Sequence, residues 1–249
     1  MNLERKNNKQ DSGINPTIFL RNFYKRLYSQ EKHDSPDDSR TSLARRIKEL
    51  LKQGKVIPAR VLNIGSGPQA LEKQLLRHGE EDKPLKKMAE FFSIDLADIM
   101  PSKLLAQKIK SVQHSRADAV ALPFQDGSFG LVVSNHAIDF APQEAAFREA
   151  YRVLSDGGKG IFYLHHPSML REFSEYEEVR TFWQYLQENS ILFASEEEIR
   201  DFLGKIGFIP KEISTKSDKK KDDTWWEVVV EKRTTPDTVN SAIQEGHGK

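Results

Sequence analysis

The apolar positions of this chain change period along its length, and the change divides it. Up to residue 54 they recur at helical spacing. Leu20, Phe23, Tyr24 and Leu27 fall at i, i+3, i+4 and i+7, and Leu43, Ile47, Leu50 and Leu51 share one face of a second helix that Gly54 stops. Between them Ser35-Pro36-Asp37-Asp38 reads as a loop. From Arg60 onward, short apolar runs alternate with helical patterns. Strands are predicted near 60–65, 90–95, 112–115, 129–134 and 159–164, and helices near 68–78, 99–109, 143–154 and 195–206. Such alternation specifies parallel βαβ units. The helix over 143–154 buries Phe147, Ala150, Tyr151 and Leu154, then stops at Asp156-Gly157-Gly158. The helix over 195–206 opens with a capping box, Ser195 to Glu198, and buries Ile199, Phe202, Leu203 and Ile206. Two further strands, 208–214 and 224–233, joined by the charged loop 216–223, are most simply antiparallel. Trp225 and Trp226 on the second of them are expected to sit half in the core and half at the surface.

The pattern divides the chain into a polar tail over 1–14, an amino-terminal helical cap over 15–56, one α/β domain over 57–233 and a loose tail over 234–249. Two insertions interrupt the domain. Residues 79–89 lengthen the link from the first helix to the second strand. Residues 167–194 carry Met169, Leu170, Phe173, Tyr176, Phe182, Trp183, Tyr185 and Leu186. An aromatic segment placed there forms either a lid over a small ligand or an extra helix packed on the surface.

Composition narrows the partners. Among 249 residues, 38 Lys and Arg face 37 Asp and Glu, for a formal net charge of +1, so there is no electrostatic pull toward nucleic acid or anionic membrane. The absence of cysteine removes disulfides, thiolate metal sites and cysteine nucleophiles together. The first ten residues are polar, and no apolar run approaches the roughly 20 residues of a membrane helix. A cytoplasmic protein without membrane insertion is the expectation.

The chemistry starts at 59–70, ARVLNIGSGPQA. Val61, Leu62 and Ile64 break into the turn Gly65-Ser66-Gly67, and the helical pattern Leu71, Leu75, Leu76 follows. Glycine has no Cβ, so a strand ending in such a turn lets backbone approach a ligand closely. This is how nucleotide-like cofactors are held at the edge of a doubly wound sheet. Asp126-Gly127 reads as a turn before the fourth strand. Adjacent His165 and His166 would point to opposite faces of a strand, which makes them poor joint metal ligands, and no metal site is expected.

Four segments together resemble the class I S-adenosylmethionine-dependent methyltransferases, and within them the small-molecule branch that includes quinone-biosynthesis enzymes. They are VLNIGSGPQ (61–69), FFSIDLA (91–97), RADAVALPFQDGSFGLVVSNHAIDF (116–140) and AYRVLSDGGKGIFYL (150–164). The resemblance implies a Rossmann-like α/β fold: a seven-stranded mixed sheet, mainly parallel, with its last strand antiparallel, helices on both faces, and the amino-terminal helical cap closing over the cleft with Phe23 and Tyr24 as cover. It implies S-adenosylmethionine as cofactor, S-adenosylhomocysteine as product, and a small organic molecule as methyl acceptor. Cofactor contacts would fall on Asn63, Gly65, Ser66, Gly67, Asp95, Leu96, Asp118, Ala119 and Asn135. Asp95, at a strand end, suits the ribose hydroxyls, with a helix N-cap as its plainer reading. Asp118 and the Ala119 N–H suit the adenine, with a solvated loop acid as the alternative.

Two residues depart from that family's first motif, which usually carries an acid at the position of Asn63 and a third glycine at that of Gln69. Asn63 brings no charge to meet an ammonium, and Gln69 adds bulk. They keep open a second reading, an inactive domain retained as a binding or partner module. Gly65-x-Gly67-x-x-Ala70 also satisfies the dinucleotide form G-x-G-x-x-G/A, a third and weaker reading as an NAD-dependent dehydrogenase. Methyl transfer requires alignment of nucleophile, methyl and sulfur, and removal of a proton where the acceptor is a hydroxyl or an acidic carbon. Histidines at strand ends are the candidate bases, His136 first and His166 second, with Asp139 a further possibility. The Asn-Pro-Pro-aromatic signature of amino methyltransferases acting on DNA is absent from 134–137.

Overall fold

A computed structural model describes residues 38–67, 69–76, 88–96, 112–168, 192–218 and 223–234. The expected first helix with Phe23 and Tyr24, the helix at 99–109, nearly all of both insertions, the Lys219–Lys221 run and both tails lie outside the described residues. Helix α1 (Asp38–Lys52) precedes β1 (Arg60–Ile64), α2 (Ala70–Leu76), β2 (Glu90–Asp95), β3 (Val112–Arg116) and β4 (Phe129–Asn135). A 3-10 turn (Ile138–Phe140), α3 (Gln143–Val153), β5 (Leu154–His165), α4 (Glu196–Ile206), β6 (Phe208–Asp218) and β7 (Asp223–Lys232) follow.

The seven strands form one sheet in the order β3-β2-β1-β4-β5-β7-β6. Pairings from β3 through β5 are parallel, while β7 runs antiparallel to both β5 and β6. The order reverses between β1 and β4. In an open α/β sheet the crevice at such a reversal, outside the carboxyl ends of the strands, is where ligands bind.

Both faces are covered. On one, Phe147 and Ala150 of α3 and Ile199 and Leu203 of α4 pack on Leu62, Val132, Phe162 and Trp226. On the other, Leu43, Ile47 and Leu51 of α1 and Leu71 and Leu75 of α2 pack on Val61, Val133, Tyr163 and Trp225. Each large apolar side chain so buried contributes about 1.5–3 kcal/mol. The Tyr163 hydroxyl donates to the buried Glu227 carboxylate at 2.7 Å, and Arg46 of α1 bonds the same carboxylate at 2.9 Å and also pairs with Glu212. This network fixes α1 across β5, β7 and β6.

Three boundaries differ from the sequence pattern. Asp156-Gly157-Gly158 does not separate α3 from a strand at 159. Leu154 is already extended and pairs with Phe129, and the glycines form a bulge within β5 before Lys159 pairs with Leu131, with Gly157 at φ +70°. The β6 and β7 strands run on to Asp218 and back from Asp223, shortening the expected loop, because their polar residues continue the ladder. Trp225 and Trp226 are both buried, at 3% and 7% exposure, because α1 covers one face of β7 and α4 the other.

Candidate functional site

The site is assembled from strand exits at the reversal. At the end of β1 the backbone N–H groups of Gly65 and Ser66 both donate to Ile94 O of β2 at 2.9 Å. Gly65 sits at φ +71°, and a Cβ there would lie 2.1 Å from the Ala137 Cβ, so the turn has room only for glycine. The next glycine, Gly67, donates its N–H to Asp95 Oδ2 at 2.7 Å, joining the loop to the carboxylate at the end of β2. Leu96 continues from it, half-buried. Ala117 N–H bonds Asp95 O, which brings the β3 exit alongside. There Asp118 Oδ1 accepts from Val120 N–H at 3.2 Å and shapes the turn that carries Ala119. Arg152 of α3 steadies this loop from below, donating to Leu122 O, Phe124 O and Asp126, while Glu149 accepts from Leu122 N–H at 2.7 Å.

Across the crevice, Ser134 Oγ donates to Ile64 O and accepts from Ile138 N–H, pinning the β4 exit to the β1 exit. Asn135 and His136 therefore stand opposite the glycine loop. His136 adopts φ +53°, and its ring lies 4.8 Å from that of His165 and 6.2 Å from that of Trp225. Neither ring nitrogen has a hydrogen-bond partner, nor does Asn135 Oδ1. Burial, with a smaller push from His165, lowers the His136 pKa to about 3. That makes it a weaker base than an ordinary imidazole.

His165 and His166 do point to opposite faces. His166 Nδ1 lies 2.9 Å from Ser168 Oγ and accepts from Ser168 N–H, and burial lowers its pKa. His165 is the better-organised group. One oxygen of Asp139, Oδ2, accepts from both the backbone N–H of His165, at 2.7 Å, and its ring Nδ1–H, at 2.8 Å. The carboxylate thereby fixes the ring through its Nδ1–H and turns Nε2 the other way. Burial works to raise the Asp139 pKa, but the charge and hydrogen bonds of His165 outweigh it and hold the carboxyl below its ordinary range.

Two further residues emerge from the packing. Gln69, at φ +57°, directs its amide to Ser93 Oγ at 3.2 Å, so its bulk fills space against β2 instead of the crevice. Glu72 is 2% exposed in the first turn of α2, and its Oε1 accepts from Asn63 Nδ2 at 2.8 Å. Burial raises its pKa to about 7. The available signal was an acid lying between Leu71 and Leu75 in an otherwise apolar stripe. Among the described residues no cluster of His, Asp or Glu has metal-binding geometry, and no helix is long and apolar enough to cross a membrane.

A 3-2-1-4-5-7-6 sheet with a glycine loop and an acid at its reversal defines the class I methyltransferase fold. The comparisons agree. Residues 62–162 match the model of the methyltransferase domain family, and the fold is that of the class I S-adenosylmethionine-dependent methyltransferases. It is 30% identical over 186 residues to the malonyl-[acyl-carrier protein] O-methyltransferase of Halorhodospira halophila, covering 73% of this chain and 59% of that protein. It is 26% identical over 138 residues to the demethylmenaquinone methyltransferase of Lactococcus lactis, covering 49% and 55%. The chain thus spans between half and two thirds of the length of these relatives. In fold it is similar to the 1,6-didemethyltoxoflavin-N1-methyltransferase of Burkholderia thailandensis, solved with S-adenosylhomocysteine, at a TM-score of 0.64 and 12% identity over 87% of this chain and 88% of that one.

Proposed function

We propose that this chain transfers the methyl group of S-adenosylmethionine to a small organic acceptor whose nucleophilic atom, oxygen, carbon or nitrogen, gives up a proton to His165. One observation carries the reading. At the reversal of the sheet, a loop with room only for glycine at Gly65 bonds the Asp95 carboxylate, and the buried oxygens of Asn63, Ser66 and Glu72 alongside lack partners. Such a set fits a polar, partly cationic ligand. When bound, S-adenosylmethionine supplies a methyl group already activated by its sulfonium.

The chain's own residues do the rest. Asp95 would receive the ribose hydroxyls, Asp118 and the Ala119 N–H would meet the adenine edge, and Gly65, Ser66 and Gly67 would border the sulfonium. Leu96 would pack on the adenosine, while Asn135 and His136 would wall the crevice where acceptor and methyl meet. His165 takes the acceptor's proton at Nε2, and Asp139 stabilises the imidazolium that results. The inactive-module alternative rested on Asn63 and Gln69, and the placements of Glu72 and Gln69 weaken both arguments. The reading carries a cytoplasmic setting, in keeping with a chain that has no cysteine to pair.

Calorimetric titration with S-adenosylmethionine and S-adenosylhomocysteine tests it, with NAD as control. Micromolar binding of the adenosyl ligands, abolished by Asp95→Ala, is expected. A folded protein that binds neither would be the inactive module, and one that binds NAD alone would belong to the dinucleotide reading. Transfer of a radiolabelled methyl to a panel of phenols, enols, amines and carboxylates then identifies the acceptor. Label entering carboxylates alone, which have no proton to lose, would remove the role given to His165.

A further inference from the structure

The Asn63–Glu72 pair leaves two buried oxygens unmatched, and the mismatch has a direction. The donor of Asn63 is spent on Glu72 Oε1. Asn63 Oδ1 and Glu72 Oε2 remain, both buried and both without a partner. Each is an acceptor, so the pair as it stands demands a donor. The groups acting on Glu72 come from three elements. Asn63 of β1 bonds it, the Asp95 charge of β2 opposes its ionisation, and the Arg40 charge of α1 favours it. A carboxyl facing a second carboxylate in a water-poor site stays charged only when a cation joins it.

We propose that Glu72 supplies the negative charge that Asn63 does not, and that the Asn63–Glu72 pair receives the ammonium of the cofactor's amino acid end. The inference rests on the methyltransferase reading and deepens it. The family resemblance places an acid on the strand at position 63. In this chain the acid stands one helical turn beyond the glycine loop and reaches the same spot through the asparagine. An ammonium has three donors, and the pair offers two buried acceptors without partners.

Without ligand, Glu72 relieves the conflict by holding a proton near neutral pH, and an arriving ammonium displaces that proton. Binding should therefore release protons. Titration of the intact chain with S-adenosylhomocysteine in buffers of different ionisation heat should show release of about half a proton per site at pH 7. 5′-Methylthioadenosine, which lacks the amino acid end, should release none. Glu72→Gln should weaken S-adenosylhomocysteine by at least about tenfold and leave 5′-methylthioadenosine within about twofold. Asn63→Asp combined with Glu72→Gln returns the charge to the strand and should restore most of the lost affinity. Equal weakening of both ligands by Glu72→Gln, or binding of S-adenosylhomocysteine without proton release, would overturn the proposal while leaving the methyltransferase reading intact. Failure of the unmodified chain to bind any adenosyl ligand would overturn both. The proton count needs no variant, so it decides the question even where a substitution prevents folding.

Discussion

A single oxygen of Asp139 holds His165 by two hydrogen bonds, one from its backbone and one from its ring, at 2.7 and 2.8 Å. The two residues are 26 positions apart, on the turn after β4 and at the end of β5. The backbone bond locates the end of the strand, and the ring bond selects the tautomer. An orienting carboxylate of this kind is what a general base needs from its surroundings, because the direction of the ring follows from it.

Replacing His165 by Gln should lower methyl transfer by about 10²–10⁴-fold while leaving the affinity for S-adenosylhomocysteine nearly unchanged. Asp139→Asn keeps the space but offers the ring only a neutral acceptor. It should lower kcat while leaving the affinity for S-adenosylhomocysteine nearly unchanged, since the ring loses the charged acceptor that orients it. Equal losses in binding and turnover would mean the pair only supports the fold.

Stability should depend on pH through two buried groups of opposite sign. The His136 pKa falls from 6.5 to about 3 in the folded chain, so its contribution is complete above pH 6.5 and is lost as pH falls toward 3. The Glu72 pKa rises from 4.5 to about 7, so its contribution is complete below pH 4.5 and is lost as pH rises through 7. The shifts correspond to at most about 5 and about 3 kcal/mol. Between pH 4.5 and 6.5 they nearly cancel, and below 4.5 the loss from His136 remains and is joined by that from Asp139, whose carboxyl is held below its ordinary range. Urea denaturation across this range should show a plateau above a steep fall. In Glu72→Gln the plateau should become a rise with pH.

Gly65→Ala should cost about 1–3 kcal/mol, because the new methyl meets Ala137 Cβ and the backbone at φ +71° disfavours any side chain. Adding Ala137→Gly removes the collision but not the backbone strain. The double variant should therefore recover part of the loss, with about 1 kcal/mol persisting. Thermal denaturation of the two variants separates the two causes.

Arg152→Lys should loosen the loop that carries Asp118. The guanidinium bonds Leu122 O at 3.0 Å, Phe124 O at 2.7 Å and the carboxylates of Asp126 and Glu149, a fork that one ammonium cannot reproduce. A loss of about 1–2 kcal/mol in stability is expected. Faster hydrogen exchange confined to residues 117–127 should accompany it.

The sheet was legible in the sequence because its central strands are apolar runs bounded by turn residues. Asn63 and Ser93 are exceptions that remain buried within such runs. Where legibility failed, tertiary packing overrode a local signal. Three residues that resemble a helix stop became a bulge, since β5 needed the extra residues to keep register with β4. Strand periodicity splits two adjacent tryptophans between core and surface, because it cannot reveal that helices cover both faces. At the site, the glycine loop and Asp95 announce themselves by spacing, while Glu72 looks like one more acid on a helix until Asn63 is seen beside it. Local pattern does not distinguish His136, His165 and His166, because the burial of the first and the carboxylate that holds the second, 26 residues away, are tertiary features.

The two tryptophans of β7 bear on how the molecule comes apart. Trp225 belongs to the layer containing α1, and Trp226 to the layer containing α3 and α4. The strand that carries them is bonded on one side to β5 and on the other to β6. Neither layer can melt without exposing an indole from that strand, and releasing the strand opens the other layer at once. The two halves of the core are therefore mechanically one, and the domain should unfold in a single cooperative step.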